Sequence, residues 1–301
     1  MTIINAIKNF GALQGARVFR RRLIQRWVRW REEPAEQAFE RLVEIASGDI
    51  VLKVREFQGE FALPPSSHLF QRLVRYGSYE PILAALFLDA IAPDEDVIDV
   101  GANVGFFSVA AAKSLGKGRV LAIEPVPSAY GRLLENIKRN NVAEKVLPFN
   151  GMASNINGES SLHVISGKEE YSSVATISHP AVVNSEASLL PVVARKIDDL
   201  VAEYGLRPSV IKIDVEGAEG LVFSGARETL VEFRPVVFSE LSDNLLRAMG
   251  TSARELVSEY QKIGYSVYDP LDRHAPPGTK PYGDMVCVPK GRPFSGAKNI
   301  V

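Results

Sequence analysis

The pattern that most constrains this chain lies between residues 97 and 290, where short apolar runs alternate with helical ones across Gly- or Pro-bearing turns. The apolar runs are "VIDV" (97–100), "RVLAIE" (119–124), "KVLPFN" (145–150), "VIKID" (210–214), "PVVFSE" (235–240), "YSVYD" (265–269) and "DMVCVPK" (284–290). Between them, helical spacing predicts helices over 104–115, 127–140, 217–231 and 251–263. Apolar strands separated by helices belong to a mostly parallel sheet, because the crossovers cover both of its faces. The expected fold is α/β, with these seven strands in one sheet. Ligands of such sheets bind at the carboxyl ends of the strands, where strand order reverses.

Two segments precede the alternation and one interrupts it. Residues 49–63 change polarity around Gly59 and read as a hairpin, and residues 79–96 read as a helix ended by Pro93. Residues 155–197 are polar and Ser-rich, and are expected to form an insertion or lid over the ligand-binding edge. The organisation predicted is a basic helical arm, 1–48, followed by one α/β domain, 49–301.

The arm stands apart in charge. Residues 1–31 hold eight Lys and Arg and no acid, which leaves −9 on the remainder of a chain whose net charge is −1. A body that acidic excludes wrapping of nucleic acid. Within the arm, Phe19, Leu23, Trp27 and Trp30 fall at helical spacing among arginines. Such a helix suits peripheral contact with an anionic membrane, or packing on the domain or on a second subunit, as in a homo-oligomer. An Arg-rich, acid-free start also fits a transit peptide. No apolar run approaches the ~18 residues of a membrane-spanning helix. The single cysteine, Cys287, rules out an internal disulfide and fits a reducing compartment. The cytoplasm, or the inner face of its membrane, is the expected location.

The strand "VIDV" runs into "GANVGFF" (101–107). Gly101 and Gly105 permit a tight turn and close backbone approach to a ligand, and the following helix offers its free N–H groups. The spacing is G-x-x-x-G rather than the G-x-G-x-x-G of pyrophosphate-binding dinucleotide folds. Asp99 precedes the first glycine, where an acid repels a diphosphate and suits an ammonium or sulfonium. Glu124 ends the next strand, where a carboxylate can hold both hydroxyls of a ribose. A nucleoside with a cationic amino-acid tail, S-adenosylmethionine, meets all three conditions.

"IDVGANVGFFSVAAA", "IEPVPSAYGRLLENIKRNN" and "IKIDVEGAE" together resemble the FkbM family of S-adenosylmethionine-dependent O-methyltransferases. "GSYEP" (77–81), "NGMAS" (150–154) and "PVVFSELSDN" (235–244) fit the same pattern, so the likeness spans roughly residues 75–240. The resemblance implies a Rossmann-like class I methyltransferase fold. It places Asp99, Gly101, Asn103 and Gly105 around the methionine moiety, Glu80 near the same end, and Glu124 on the ribose. Asn150, Met152 and Ala153 would edge the adenine, where many methyltransferases carry an acid and this chain has Asn150. The acceptor implied is a hydroxyl on a small molecule: a sugar of a glycan or glycolipid, or a secondary metabolite.

"IKIDVEGAE" sets Asp214, Glu216 and Glu219 within six positions, straight after an apolar strand. Acids in a first helical turn are favoured by its dipole, which accounts for Glu216 and Glu219 but not for Asp214 or for Lys212 inside the strand. Methyl transfer to an alcohol needs the proton removed or the oxygen polarised. Asp214 or Glu240 is the expected base, in a carboxylate cluster with Glu216 and with Lys212 as counter-charge. Alternatively Asp214 and Glu240 jointly hold Mg²⁺ or Ca²⁺, although the motif lacks His. A plain Lys212–Glu240 ion pair joining two strands is the structural alternative. Among the histidines, His179 is the rival base, ahead of His68, His163 and His274, and Tyr171, Ser172 and Ser173 could hydrogen-bond a polyhydroxylated acceptor. Two other functions compete: a non-catalytic interaction module on a methyltransferase fold, and an NAD-dependent oxidoreductase, which the glycine spacing disfavours.

Overall fold

The computed structural model describes residues 48–164, 188–272, 277 and 283–294. The basic helix of the arm, His179, His274, Tyr171, Ser172 and Ser173 lie outside the described residues.

An antiparallel hairpin, β1 (Ile50–Val54) and β2 (Gly59–Leu63), comes first, as its polarity pattern predicts. Helices α1 (His68–Tyr76) and α2 (Pro81–Ala90) follow. The alternation then runs through β3 (Asp96–Val100), α3 (Phe106–Ser114), β4 (Val120–Ile123), α4 (Pro127–Arg139) and β5 (Val146–Phe149). It resumes with α5 (Ile197–Tyr204), β9 (Pro208–Ile213), α6 (Glu219–Gly225), α7 (Arg227–Glu232) and β10 (Val236–Glu240). It closes with α8 (Asp243–Ala248), α9 (Ala253–Lys262), β11 (Tyr265–Tyr268) and β12 (Asp284–Pro289). All seven expected strands join one sheet, in the order β11-β12-β10-β9-β3-β4-β5. Only β12 runs against its neighbours. From β3 the chain moves first to β4 and β5, then returns to β9 on the other side, so the carboxyl ends of β3 and β9 flank the reversal point.

Ile98, Val100, Ile211, Ile213 and Val237 point to one face, where Leu200 of α5, Val222 of α6, Leu230 of α7 and Tyr260 of α9 share their core. Asp99, Lys212 and Phe238 are register partners and so point to the opposite face. There a chain of rings links the hairpin to the sheet: Phe57 on Phe107, Phe107 on Phe87, Phe87 on Phe238, with centroids 4.9, 5.1 and 5.7 Å apart. Cys287 is buried in β12.

The free edge of β2 is satisfied by two asparagines one turn apart, Asn136 on α4 and Asn140 at its C-cap. Asn136 accepts from Ala62 N at 2.8 Å and donates to Ala62 O and Val104 O at 3.4 and 2.9 Å. Asn140 accepts from Glu60 N and donates to Glu60 O, at 3.1 and 2.7 Å. Residues 60 and 62 present their peptide groups to the same side of the strand, so the pair takes the place of a neighbouring strand.

One segment is more regular than its composition suggests, and one expectation needs correction. The ends of the 155–197 insertion are regular: β7 (Gly158–Val164) and β8 (Ser188–Arg195) pair antiparallel, and the short β6 (Met152–Ala153) adds to β8 in parallel. Leu162, Val164 and Ala194 of this second sheet bury against Val126 and Ala129, which outweighs the polar composition. The helix predicted over 217–231 is two helices that part at Ala226. Beside the break, Gly225 lies so near the Ser154 backbone that a Cβ would stand 1.9 Å from its carbonyl oxygen.

Candidate active site

In "GANVG", residues 101, 103 and 105 all adopt positive φ, at 77°, 50° and 92°. Glycine tolerates that region freely and asparagine is the side chain best suited to it, so the alternation of small and Asn residues is conformational in origin. The turn is pinned to the next strand, with Gly101 N and Ala102 N donating to Ile123 O. Glu124 continues the clasp: Oε2 accepts from Asn103 N and Oε1 from Val126 N, both at 2.8 Å. Burial lifts the Glu124 carboxyl to about 7, against the pull of these two amides.

A cavity of about 1020 Å³ opens at the carboxyl ends of β3, β4, β9 and β10. It is lined by Gly101, Asn103, Glu124, Met152 and Ala153, and on another side by Glu80, Lys212, Asp214, Glu216 and Glu240. Three expected site residues do not line it. Gly105 faces Leu133, whose Cδ1 would lie 2.7 Å from an added Cβ. Asn150 spends its amide on Glu124 O and Pro125 O, at 2.9 and 3.3 Å, and so braces the strand end that carries Glu124. Asp99 is 1% exposed beneath the floor, with Oδ2 accepting from Ser108 Oγ at 2.6 Å and Oδ1 without a partner.

Lys212 lies beside Asp99 in the sheet register and pairs with Asp214 Oδ2 at 3.0 Å. Its ammonium also sits 4.7 Å from the centre of the Phe107 ring. Burial alone would favour the neutral amine, but Asp214, Asp99 and Glu80 outweigh it and hold the charge above the ordinary lysine range. The alternative of a plain Lys212–Glu240 ion pair is not what the described residues form; the partner of Lys212 is Asp214. Glu80, at the N-cap of α2 with φ 46°, is pushed up by burial and by Asp214. Glu240 is pushed well up by burial and by Asp214 and Glu216, and its Oε2 has no hydrogen-bond partner. Glu219 turns inward instead of facing solvent. Its Oε1 accepts from Val215 N and Gly217 N at 3.3 and 3.2 Å, and burial lifts it to about 7.

Sequence reasoning missed Asp284 and Arg72 in the cavity lining and ranked His68, which also lines it, behind His179. Asp284 stands directly across from Glu240 in the antiparallel register, and burial, with Glu80 and Asp214, raises it to about 7. His68 and Arg72 line the cavity from α1, with the Arg72 guanidinium 5.1 Å from the Tyr79 ring centre. Only the register exposes Asp284, whereas "SHLFQRLVRYG" carries a legible helix signal in Ser67 and Gly77, which cap α1 at either end. His163 lies on β7, away from the cavity lining.

An ordered seven-stranded sheet with one reversed strand, and a glycine turn and acid at its switch point, define a Rossmann-like methyltransferase fold. The chain belongs to the FkbM methyltransferase family, whose methyltransferase domain matches residues 99–267. Among curated proteins, it is 29% identical over 164 residues to the 2-O-methyltransferase NoeI of Sinorhizobium fredii strain NGR234, covering 51% of this chain and 66% of NoeI. It is 25% identical over 217 residues to Methyltransferase 1 of Beauveria bassiana, covering 65% and 85% of the two chains. The crystal structure of methyltransferase FkbM from Methylobacillus flagellatus aligns with a TM-score of 0.45 and 20% identity, over 66% of this chain and 44% of that one. The chain thus spans about two-thirds of NoeI and under half of the M. flagellatus protein.

Proposed function

We propose that residues 49–301 form an S-adenosylmethionine-dependent O-methyltransferase domain acting on a hydroxyl of a sugar or of a secondary metabolite. The observation that carries this reading is the meeting, in one cavity, of the Gly101–Asn103–Glu124 clasp with the Asp214 and Glu240 carboxylates. The residues present fit the cofactor. The acid-rich lining favours a sulfonium and an ammonium over a diphosphate. Glu124 faces the cavity with one amide on each oxygen, which leaves lone pairs for a ribose diol. Met152 and Ala153 supply an apolar edge for a purine. When bound, S-adenosylmethionine supplies an electrophilic methyl group on a positively charged sulfur.

The chain's part is to seat the acceptor oxygen about 3 Å from that carbon, in line with the sulfur, and to take its proton. Asp214 is placed for the second task. Lys212 grips Oδ2, which orients the carboxylate while its side chain stays 35% exposed to the cavity. Carboxylates at the same end, Glu80, Glu240 and Asp284, accept from the remaining hydroxyls of a polyhydroxylated acceptor and discourage an anionic one. NoeI, a relative named as a 2-O-methyltransferase, supports oxygen as the acceptor atom.

Calorimetric titration with S-adenosylhomocysteine, with NAD as control, tests the reading. Micromolar binding that is lost in Glu124→Ala, followed by transfer of labelled methyl to a hydroxylated acceptor, is the expected result. A folded protein that binds neither nucleotide would return the chain to the interaction-module reading.

A further inference from the structure

The cavity gathers the carboxyl groups of Glu80, Asp214, Glu216, Glu240 and Asp284 in a lining that also holds Lys212 and Arg72. Oxygens of Asp214, Glu216 and Glu240, one from each, lie within 4.8 Å of one another. Two pieces of backbone bring them there: the loop after β9, which carries Asp214 and, at a left-handed φ of 50°, Glu216, and the last residue of β10. Lys212 is engaged by Asp214. Glu240 Oε2 is closed to solvent and has no hydrogen-bond donor among the described residues, although it borders this group. Glu219, 2% exposed, adds a second such oxygen; its Oε1 fixes the 215–217 turn on which Glu216 rides, and its Oε2 has no partner. Carboxylate oxygens shut away without donors are costly unless a proton or a cation meets them.

We propose that Asp214, Glu216 and Glu240 form a binding site for a hard divalent cation such as Mg²⁺, Mn²⁺ or Ca²⁺. Three carboxylates from converging segments, with cavity water or an acceptor hydroxyl completing the shell, supply the all-oxygen coordination these ions take. Histidine and cysteine are absent from the group, which selects against zinc and copper. Ions of this class take about six to eight oxygens, and the open cavity beside the three carboxylates leaves room for exogenous ones. The purpose suggested for the ion, polarising the acceptor hydroxyl, rests on the methyl-transfer reading. Its binding does not.

The test uses the full chain, stripped with EDTA and titrated separately with MgCl₂, MnCl₂ and CaCl₂ by calorimetry. Free Mn²⁺ is followed in parallel by electron paramagnetic resonance, and S-adenosylhomocysteine affinity is measured on every sample. One saturable site with Kd below about 1 mM, weakened at least about tenfold in Glu216→Gln and Glu240→Gln, is the result expected. The Mn²⁺ measurement on wild-type protein stands without the variants, should either fail to fold. Absence of saturable binding by any of the three ions, or equal affinity in folded variants, overturns the site and leaves protonation as the answer to the orphaned oxygens. Retained S-adenosylhomocysteine binding in that case shows that the cation has failed and the methyltransferase reading has not.

Discussion

Gly101 and Asp214 meet backbone to backbone, so closely that a Cβ on the glycine would lie 1.9 Å from the Asp214 carbonyl oxygen. The Asp214 amide donates to Val100 O at 3.0 Å, which closes the contact from the other side. The glycine turn and the acid-bearing strand end are therefore a single fitted joint. Gly101→Ala adds a clash to a residue already at φ 77°, and neither strand can move away without breaking the sheet. It is expected to cost about 3 kcal/mol or more and to reduce S-adenosylhomocysteine affinity at least about tenfold. Thermal denaturation and calorimetry on the same sample check both; wild-type values in each would show the joint to be slack.

Glu124 predicts how binding responds to pH. Its carboxyl is held near 7 in the ligand-free chain, and a ribose donates best to the ionised form. Affinity should therefore fall as pH drops through 7, by about fivefold between pH 7 and pH 6 for a single obligatory deprotonation. Glu124→Gln should bind weakly with no such slope. Calorimetry in buffers of different ionisation heat will also register the proton released.

The ligand-free chain should follow the opposite trend. Glu124, Glu219 and Asp284 each titrate near 7 when folded, against ordinary values of 4.5, 4.5 and 3.8. Between those limits the folded state binds more protons than the unfolded one, so stability falls as pH rises and the penalty is complete above 7. A higher melting temperature at pH 6 than at pH 8 is the expected outcome, and a rise towards pH 8 would show these groups to be solvated.

Asp99 and Lys212 are coupled across β3 and β9. Lys212→Met leaves a buried carboxylate without its neighbouring cation and should cost about 3–5 kcal/mol. Adding Asp99→Asn removes the stranded charge while keeping the contact with Ser108, so the double variant should be less destabilised than the sum of the singles. Urea denaturation of the four proteins measures that difference. Additive losses would mean the two side chains ignore each other.

Much of this was legible in the chain itself, and for local reasons. Seven strands and the turn "GANVG" announce themselves through short apolar runs and glycine spacing. The strands at the ends of the 155–197 segment gave no signal, because β7 and β8 draw their stability from each other and from Val126 and Ala129, not from their own polar composition. Asn136 and Asn140 look like ordinary polar residues of an amphipathic helix, and their task on β2 appears only when residues 60–62 arrive from 74 or more positions away. Glu219 carried a true first-turn signal, yet its inward aim depends on the left-handed Glu216 and Gly217 preceding it. Periodicity reports which face a residue occupies; it does not report which distant peptide that face will touch.

The asparagine pair can be tested directly. Asn136→Leu preserves bulk and leaves Ala62 N, Ala62 O and Val104 O without their side-chain partner. A loss of about 3 kcal/mol is expected, with hydrogen exchange accelerated first in the 50–63 hairpin. Uniform loss of protection across the domain would instead make the hairpin part of the global unfolding unit.

Cys287 is the only cysteine in the chain, and it is shut inside β12 with its thiol pushed well up by burial. No reagent can reach it while β12 keeps its place between β10 and β11. The protein thus carries a built-in clock: the rate at which a thiol reagent modifies it measures how often the sheet opens. Slowing of that rate by a bound ligand reports how firmly the ligand closes the fold, without any added label and before an acceptor is known.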